Sequence, residues 1–252
     1  MGIIIKSEEE IVIMRQAGKI VAEILKTMSK KIKPGMKTKE LDKIAEEELV
    51  RLGAKSSFKG YRGFPANVCV SINDEIVHGI PGDRVMNDGD VVSLDFGAIY
   101  NGFQGDSAMT VTVGKASPEA QKLIVATRDS LQAGIEAARE GATLGDVSAA
   151  IQNYAESKGY QVVREYTGHG IGRDMHEDPQ IPNFGMPGTG PVLKKGMTLA
   201  IEPMLNTGSW RTRVAEDKWT VLTADGGLSA HFEHTIAIRD NEAEVLTERI
   251  DG

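Results

Sequence analysis

The chain has 252 residues, 40% of them apolar, enough for one large domain with a full core. Its 36 acidic against 29 basic residues give a net charge of -7, which argues against nucleic acid as a general partner. A single cysteine, Cys69, excludes an internal disulfide and a cysteine-rich zinc module and points to a reducing compartment, the cytoplasm.

The opening "MGIIIKSEEE" has too short an apolar run for a secretory signal, and no later run approaches the ~20 apolar residues of a membrane helix. Ser7 is placed to cap a helix whose first turn carries Glu8, Glu9 and Glu10 and whose apolar stripe runs Ile11, Met14, Ala17, Val21, Leu25, Met28. Lys30, Lys31 and Lys33 suit its C-terminal end, and Pro34 with Gly35 stops it. A second helix is predicted from about Thr38 to Leu52, with Gly53 as its stop. Strand-like segments follow to residue 113, and the order restarts at Ser117 and Pro118, a cap with proline at the first helical position. One helix is expected to reach about Glu140 and another to run from Thr143 to about Lys158, with strands beyond. The order is thus helix, helix, strands, twice. A local echo agrees: "GDVVSLDFG" and "GMTLAIEPM" each place an acid six residues after glycine, matching Asp95 to Glu202. A pseudo-twofold α+β domain would bring these acidic strands together at its centre.

"VVSLDFGAIY" leads into Asn101-Gly102, the strongest two-residue hairpin signal, and "FQGDSAMTVTV" returns. Pairing Tyr100 with Phe103 sets Asp95 opposite Ala108 and Gly97 opposite Asp106, so the two aspartates become diagonal neighbours on one face, roughly 7 to 8 Å apart at the backbone. A bulge at Gly105 is the alternative and would re-aim Asp106. Glu202 in "TLAIEPML" and Glu233 in "LSAHFEHTIAI" stand in apolar strand-like runs of the second half. Unpaired, four buried carboxylates would repel one another and take up protons, whereas two divalent cations would balance them.

"YTGHGIGRDMHEDPQIP" sets His169 and His176 seven positions apart. Three alternating glycines, each costing a helix roughly 1 kcal/mol, exclude a helix, and a single extended strand would put the rings on opposite faces. His169, in the glycine-rich turn, is read as a neutral imidazole ligand among oxygens. His176 is assigned off the metal, either supporting a ligand or facing substrate, and His78 in "EIVHGIP" is a candidate of the same kind, while His231 and His234 are assigned as structural neighbours that support Glu233.

In order along the chain, "VHGIP", "LDFG", "GDSAMTVTVG", "GHGIGR..HE.P", "IEPM" and "FEHT" make it resemble the type I methionine aminopeptidases of the bacterial kind over nearly its whole length. The resemblance implies the pita-bread fold, a pseudo-twofold α+β architecture with a central curved antiparallel sheet and helices on its outer face. It implies one catalytic domain, 1–252, of two similar halves, about 7–115 and 116–252. It further implies a site for two divalent ions (Mn, Fe, Co or Zn), bridged by Asp106 and Glu233, with Asp95 on one ion and His169 with Glu202 on the other. By the same resemblance His176 contacts the substrate carbonyl, and His78 sits by the scissile amide or second residue. Glu202 also moves a proton, and Tyr61, Phe64, Cys69, Met175 and Trp219 form the methionine pocket. The implied activity is removal of the initiator methionine from nascent proteins and peptides with a small second residue, by metal-bound hydroxide. A monomer in transient contact with the ribosome would carry it out. Arg62 and Met175 stand where some relatives carry histidine and phenylalanine, which bears on pocket shape and on the second substrate residue. The alternatives are Xaa-Pro aminopeptidases and prolidases, which usually carry an additional N-terminal domain, and non-catalytic pita-bread proteins, which lose ligands.

Overall fold

In a computed structural model, which describes residues 2–249, Ser7 Oγ accepts the Glu10 N–H at 3.3 Å while Glu10 Oε2 accepts the Ser7 N–H at 3.1 Å. The first and last residues of the expected 1–252 domain lie outside the described range. This reciprocal cap opens α1 (Glu8–Lys31), whose predicted stripe from Ile11 to Met28 is wholly buried. The second helix, α2 (Thr38–Leu52), stops at Gly53 in the left-handed conformation, φ 66°, where glycine carries no Cβ penalty. Five strands follow: β1 (Lys55–Ser56), β2 (Cys69–Ile72), β3 (Glu75–Val77), β4 (Val91–Tyr100) and β5 (Phe103–Thr112).

Ser117 caps α3 (Pro118–Ala137), which ends before the expected Glu140. Ala138 leaves the helical region at φ -82°, ψ 79°, and Gly141, at φ 84°, turns the chain so that its N–H reaches the Leu193 carbonyl at 3.0 Å. Thr143 then opens α4 (Leu144–Ser157), its N–H held by Asp146 Oδ2 at 2.7 Å. Ten short strands complete the chain: β6 (Gln161–Val162), β7 (Gly168–Gly170), β8 (Glu177–Ile181), β9 (Thr198–Ile201), β10 (Met204–Asn206), β11 (Thr212–Val214), β12 (Val221–Thr223), β13 (Ser229–His231), β14 (His234–Ala237) and β15 (Glu244–Val245).

All strand pairs among the described residues are antiparallel. In the first half β4 pairs with β1, β2 and β5, and α1 and α2 cover it through Val21, Leu25, Leu41 and Ala45 against Val70, Val92, Leu94 and Phe96. In the second half the order is β15-β14-β9-β7-β8, with β13-β10-β6 beside it. Leu123, Leu131, Val147 and Ile151 of α3 and α4 pack on Val162, Leu199, Ile201 and Leu205. Early and late strands meet where β3 pairs with β12 and where β5 meets the segment from His231 to Thr235. At the second of these junctions three hydroxyls take the place of a regular ladder. Ser107 Oγ donates to the Glu233 carbonyl at 2.6 Å, Thr110 Oγ1 to the His231 carbonyl at 2.8 Å and Thr235 Oγ1 to the Asp106 carbonyl at 2.7 Å.

The β4–β5 hairpin runs in unbroken register from Tyr100↔Phe103 to Val91↔Thr112, so Gly105 makes no bulge. Its role is close approach: a Cβ there would lie 2.9 Å from the backbone of Ala17 and Gly18 in α1. Gly105→Ala is therefore expected to destabilise the fold by about 1–3 kcal/mol, as overpacking does. Urea denaturation measures this, and an unchanged midpoint would mean that α1 shifts freely.

Candidate metal centre and active site

The hairpin register places Asp95 opposite Ala108 and Asp106 opposite Gly97, so both aspartates share the face on which Cys69, paired with Asp95 from β2, also stands. Glu202 and Glu233 occupy two-residue interruptions, between β9 and β10 and between β13 and β14. The Glu233 N–H donates to the Ala108 carbonyl at 3.0 Å, which sets the acid of the second half beside the Asp95 row of the first. Asp95, Asp106 and Glu233 are buried, and each has a carboxylate oxygen with no hydrogen-bond partner.

The glycines around His169 serve the same clustering. A Cβ on Gly168 would sit 2.4 Å from the Ala200 carbonyl oxygen, and one on Gly170 2.2 Å from that of Asp178, so only glycine lets β8 and β9 close on β7. His169 Nδ1 lies 2.9 Å from the Gly170 carbonyl oxygen and must carry the proton there. That leaves the lone pair on Nε2, 3.6 Å from Glu202 Oε1 and 4.0 Å from Asp106 Oδ2. Ligand atoms of Asp106, His169 and Glu233 all fall within 4.8 Å of one another.

Burial raises the carboxyl pKa values: Asp95 to about 7, and Asp106, Glu202 and Glu233 well above the carboxylate range, the last three pushed further by their acidic neighbours. The same burial holds His169 down at about 3 and His78 at about 4, so both imidazoles are neutral at pH 7. Convergent carboxylates with unpaired oxygens and a neutral imidazole whose lone pair faces them form the donor set of divalent metal, and these residues fit such ions.

His176 departs from the single-strand expectation. The chain folds between His169 in β7 and His176 just before β8, with a register shift after His169, and brings the rings to 4.2 Å at 43°. Tyr61 Oη bonds His176 Nδ1 at 2.8 Å. His78 adopts a left-handed backbone, φ 61°, rare for a residue with a side chain, and meets Tyr166 and Trp219 edge-on at 5.8 and 6.4 Å. The two histidines assigned to Glu233 have other neighbours. His231 Nε2 lies 3.8 Å from Glu202 Oε2, and His234 Nδ1 bonds Thr247 Oγ1 at 2.8 Å.

One cavity of about 150 Å³ gathers Tyr61, Phe64, Cys69, His78, Asp95, Asp106, His169, Met175, His176, Glu202, Trp219 and Glu233. A space of that size accepts a six-carbon ring, hence an unbranched thioether chain. Phe64 meets Trp219 at 5.2 Å and 75°, and Phe58, which the sequence did not single out, meets Phe64 at 6.4 Å and 89°. Phe58 lines the cavity as well, and its signal was proximity to Tyr61 and Phe64 in "SSFKGYRGF". Arg62, an exposed residue, lines the cavity too. Cys69 is a buried thiol whose pKa is driven up by burial and by Asp95, Asp106 and Glu233. It is expected to resist alkylation by iodoacetamide in the native protein at pH 8 and to react promptly in urea, with mass spectrometry as the readout.

The profile described as metallopeptidase family M24 matches residues 12–240. A methionine aminopeptidase of Clostridium acetobutylicum is 54% identical over 246 residues, 97% of this chain and 98% of that protein. The crystal structure of a methionine aminopeptidase from Thermotoga maritima shares the fold with a TM-score of 0.97 at 49% identity, covering 98% of this chain and 100% of its own. A prolidase from Pyrococcus furiosus, with a TM-score of 0.80 at 24% identity over 97% of this chain and 65% of its own, is alike in fold alone. The architecture is the pita-bread α+β fold expected from the sequence, and with the profile covering most of its length, the chain belongs to metallopeptidase family M24.

Proposed function

We propose that this chain is a metal-dependent methionine aminopeptidase that removes the N-terminal methionine from nascent proteins and peptides whose second residue is small. The observation that carries the proposal is the meeting of a carboxylate cluster with an apolar cavity walled by Phe58, Phe64, Met175 and Trp219. The near full-length identity to methionine aminopeptidases supports it. Asp95, Asp106, His169, Glu202 and Glu233 would hold two divalent ions drawn from Mn, Fe, Co and Zn. When bound, such ions supply acidified water and Lewis acidity toward the scissile carbonyl.

The chain's own groups do the rest. Phe64, Trp219 and Met175 receive the methionine side chain, whose sulfur gains about 0.3–1.5 kcal/mol from aromatic contact. Tyr61 donates its hydroxyl proton to His176 Nδ1, which keeps the proton of that ring on Nε2, free to donate to the carbonyl oxygen as charge develops. Burial and Arg62 keep His176 neutral in this role. Glu202, ionised once a cation offsets its burial and basic because that burial raises its pKa, would accept the proton released by water and pass it to the leaving amine. His78 lies beside the second substrate residue. The enzyme acts as a cytoplasmic monomer, one domain of two like-built halves, in transient contact with the ribosome. No described helix is long and apolar enough to cross a membrane.

The test is methionine release from Met-Ala-Ser by metal-stripped protein resupplied with Mn, Fe, Co or Zn in turn, beside Ala-Pro-Ala. Metal-restored release with the proline peptide untouched is the expected result. Cleavage of the proline peptide instead, or silence on both with metal bound, would overturn it.

A further inference from the structure

The "GHGIGR..HE.P" segment sends His169 and His176 to the cavity, yet its acid, Glu177, belongs to a different contact. Glu177 Oε2 is 2.5 Å from Lys6 Nζ, and the two side chains are only 5% and 3% exposed. Lys6 lies in the arm that precedes α1, 171 positions away in sequence. Its ammonium also reaches the Ile4 carbonyl at 3.3 Å, and its backbone N–H donates to the Gly196 carbonyl at 2.8 Å. Glu177 Oε1 accepts the Asp174 N–H at 3.3 Å. A Cβ on Gly172 would lie 2.4 Å from Glu177 Oε1 and 2.5 Å from Lys6 Cε, so the chain at Gly172 is shaped around the pair.

A buried ion pair is a poor way to gain stability alone, because apolar residues of like volume commonly serve as well or better. What this pair holds is the turn from Gly172 to Glu177. The other side of that turn is tied to β5, where the Gln104 N–H donates to the Gly172 carbonyl at 2.8 Å and Gln104 Nε2 to that of Arg173 at 3.2 Å. His176 sits at the end of this turn, reached by solvent on one side and lining the cavity on the other. The Tyr61 hydroxyl bonds its ring, and the Lys6–Glu177 pair fixes the residue that follows it. Gly2 and Ile4 of the arm stand with Arg62, His169 and His176 around a groove of about 390 Å³.

We propose that Lys6 is a positioning residue: through its buried ion pair with Glu177, the N-terminal arm fixes the turn that presents His176 to the substrate carbonyl. This rests on the methionine aminopeptidase function proposed above. A ring displaced by about 1 Å from a reacting centre can cost ~100-fold in rate, so breaking the pair should lower kcat and spare metal binding.

The experiment compares the full-length metal-loaded protein with Lys6→Met, Glu177→Leu and the double variant. Each is followed by thermal melting, by kcat and KM on Met-Ala-Ser, and by histidine-selective NMR with His176 assigned by substitution. The single variants leave a buried charge unpaired and should melt early; the double variant removes both charges and should melt near wild type. In the double variant kcat is expected to remain ~10- to 100-fold low with KM within about twofold. The His176 ring resonances should move while those of His169 stay. Recovery of kcat together with stability, or unmoved His176 resonances, would reduce the pair to a structural staple and overturn the inference. If the wild type releases no methionine, the functional reading fails, and the His176 resonances still decide the role of the arm.

Discussion

Glu202→Gln is expected to lower kcat for methionine release by about 10²- to 10⁴-fold, the range that loss of a general acid–base group produces. The substitution keeps the volume of the side chain and replaces an acid whose two oxygens face imidazoles on both sides, His169 Nε2 at 3.6 Å and His231 Nε2 at 3.8 Å. It removes both the proton-carrying group and an anionic oxygen for metal. Because burial and Asp95 already press Glu202 toward its neutral form, the metal-free variant should fold at least as well as wild type. Loss of activity without loss of stability would thus locate the defect in chemistry. Calorimetric titration with Mn should show one ion bound more weakly while the other keeps its affinity. A variant with more than about a tenth of wild-type kcat and both ions bound would remove Glu202 from the proton transfer.

Local signals carried the frame of this site. The Ser7 and Ser117 caps, the left-handed Gly53 and the Asn101-Gly102 hairpin are decided within a few residues, and the hairpin alone fixes the shared face of Asp95 and Asp106. Glu202 and Glu233 stand out because an acid in an apolar run needs a buried reason. The meeting of His169 and His176 was illegible as a period, since neither a helix nor one strand describes it. It depends on β7 turning back into β8 with a register shift, which follows from the approach of neighbouring backbones to Gly168 and Gly170. His231 was tied to Glu233 by proximity in sequence, whereas the break at residues 232 and 233 sets it against Glu202. Lys6 and Glu177 find each other only once the chain has folded, so no local pattern announces them. In sequence Gly105 offers a bulge, and its actual partner, the backbone of α1, is equally non-local.

The metal-free protein is expected to lose stability as pH rises above 6.5, and divalent ions are expected to reverse that trend. For Asp95 the folded pKa of about 7 exceeds the ordinary 3.8, so between those values the unfolded chain holds fewer protons and stability falls with rising pH. The contribution is fully present below the unfolded pKa and is lost as pH passes about 7. A shift from 3.8 to about 7 amounts to roughly 4 kcal/mol. Asp106, Glu202 and Glu233 act in the same direction and extend the loss to higher pH. The buried histidines work oppositely but in another window. His169, His231 and His234 at about 3 and His78 at about 4 bind protons less well folded than unfolded, so they raise stability only up to the ordinary 6.5. Above that pH the histidine contribution levels off, and because most of the Asp95 share is already lost below 6.5, Asp106, Glu202 and Glu233 carry the fall of the metal-free Tm expected between pH 6.5 and 8.5. Cations require the ionised carboxylates, so binding releases protons and tightens as pH rises. Melting curves of stripped protein at the two pH values, with and without Mn, measure both effects. Titrations in buffers of different ionisation heat count the protons released. A metal-free Tm that holds steady or climbs from pH 6.5 to 8.5, or a metal-induced rise that is smaller at the higher pH, would mean that these four carboxylates are not held together without charge compensation.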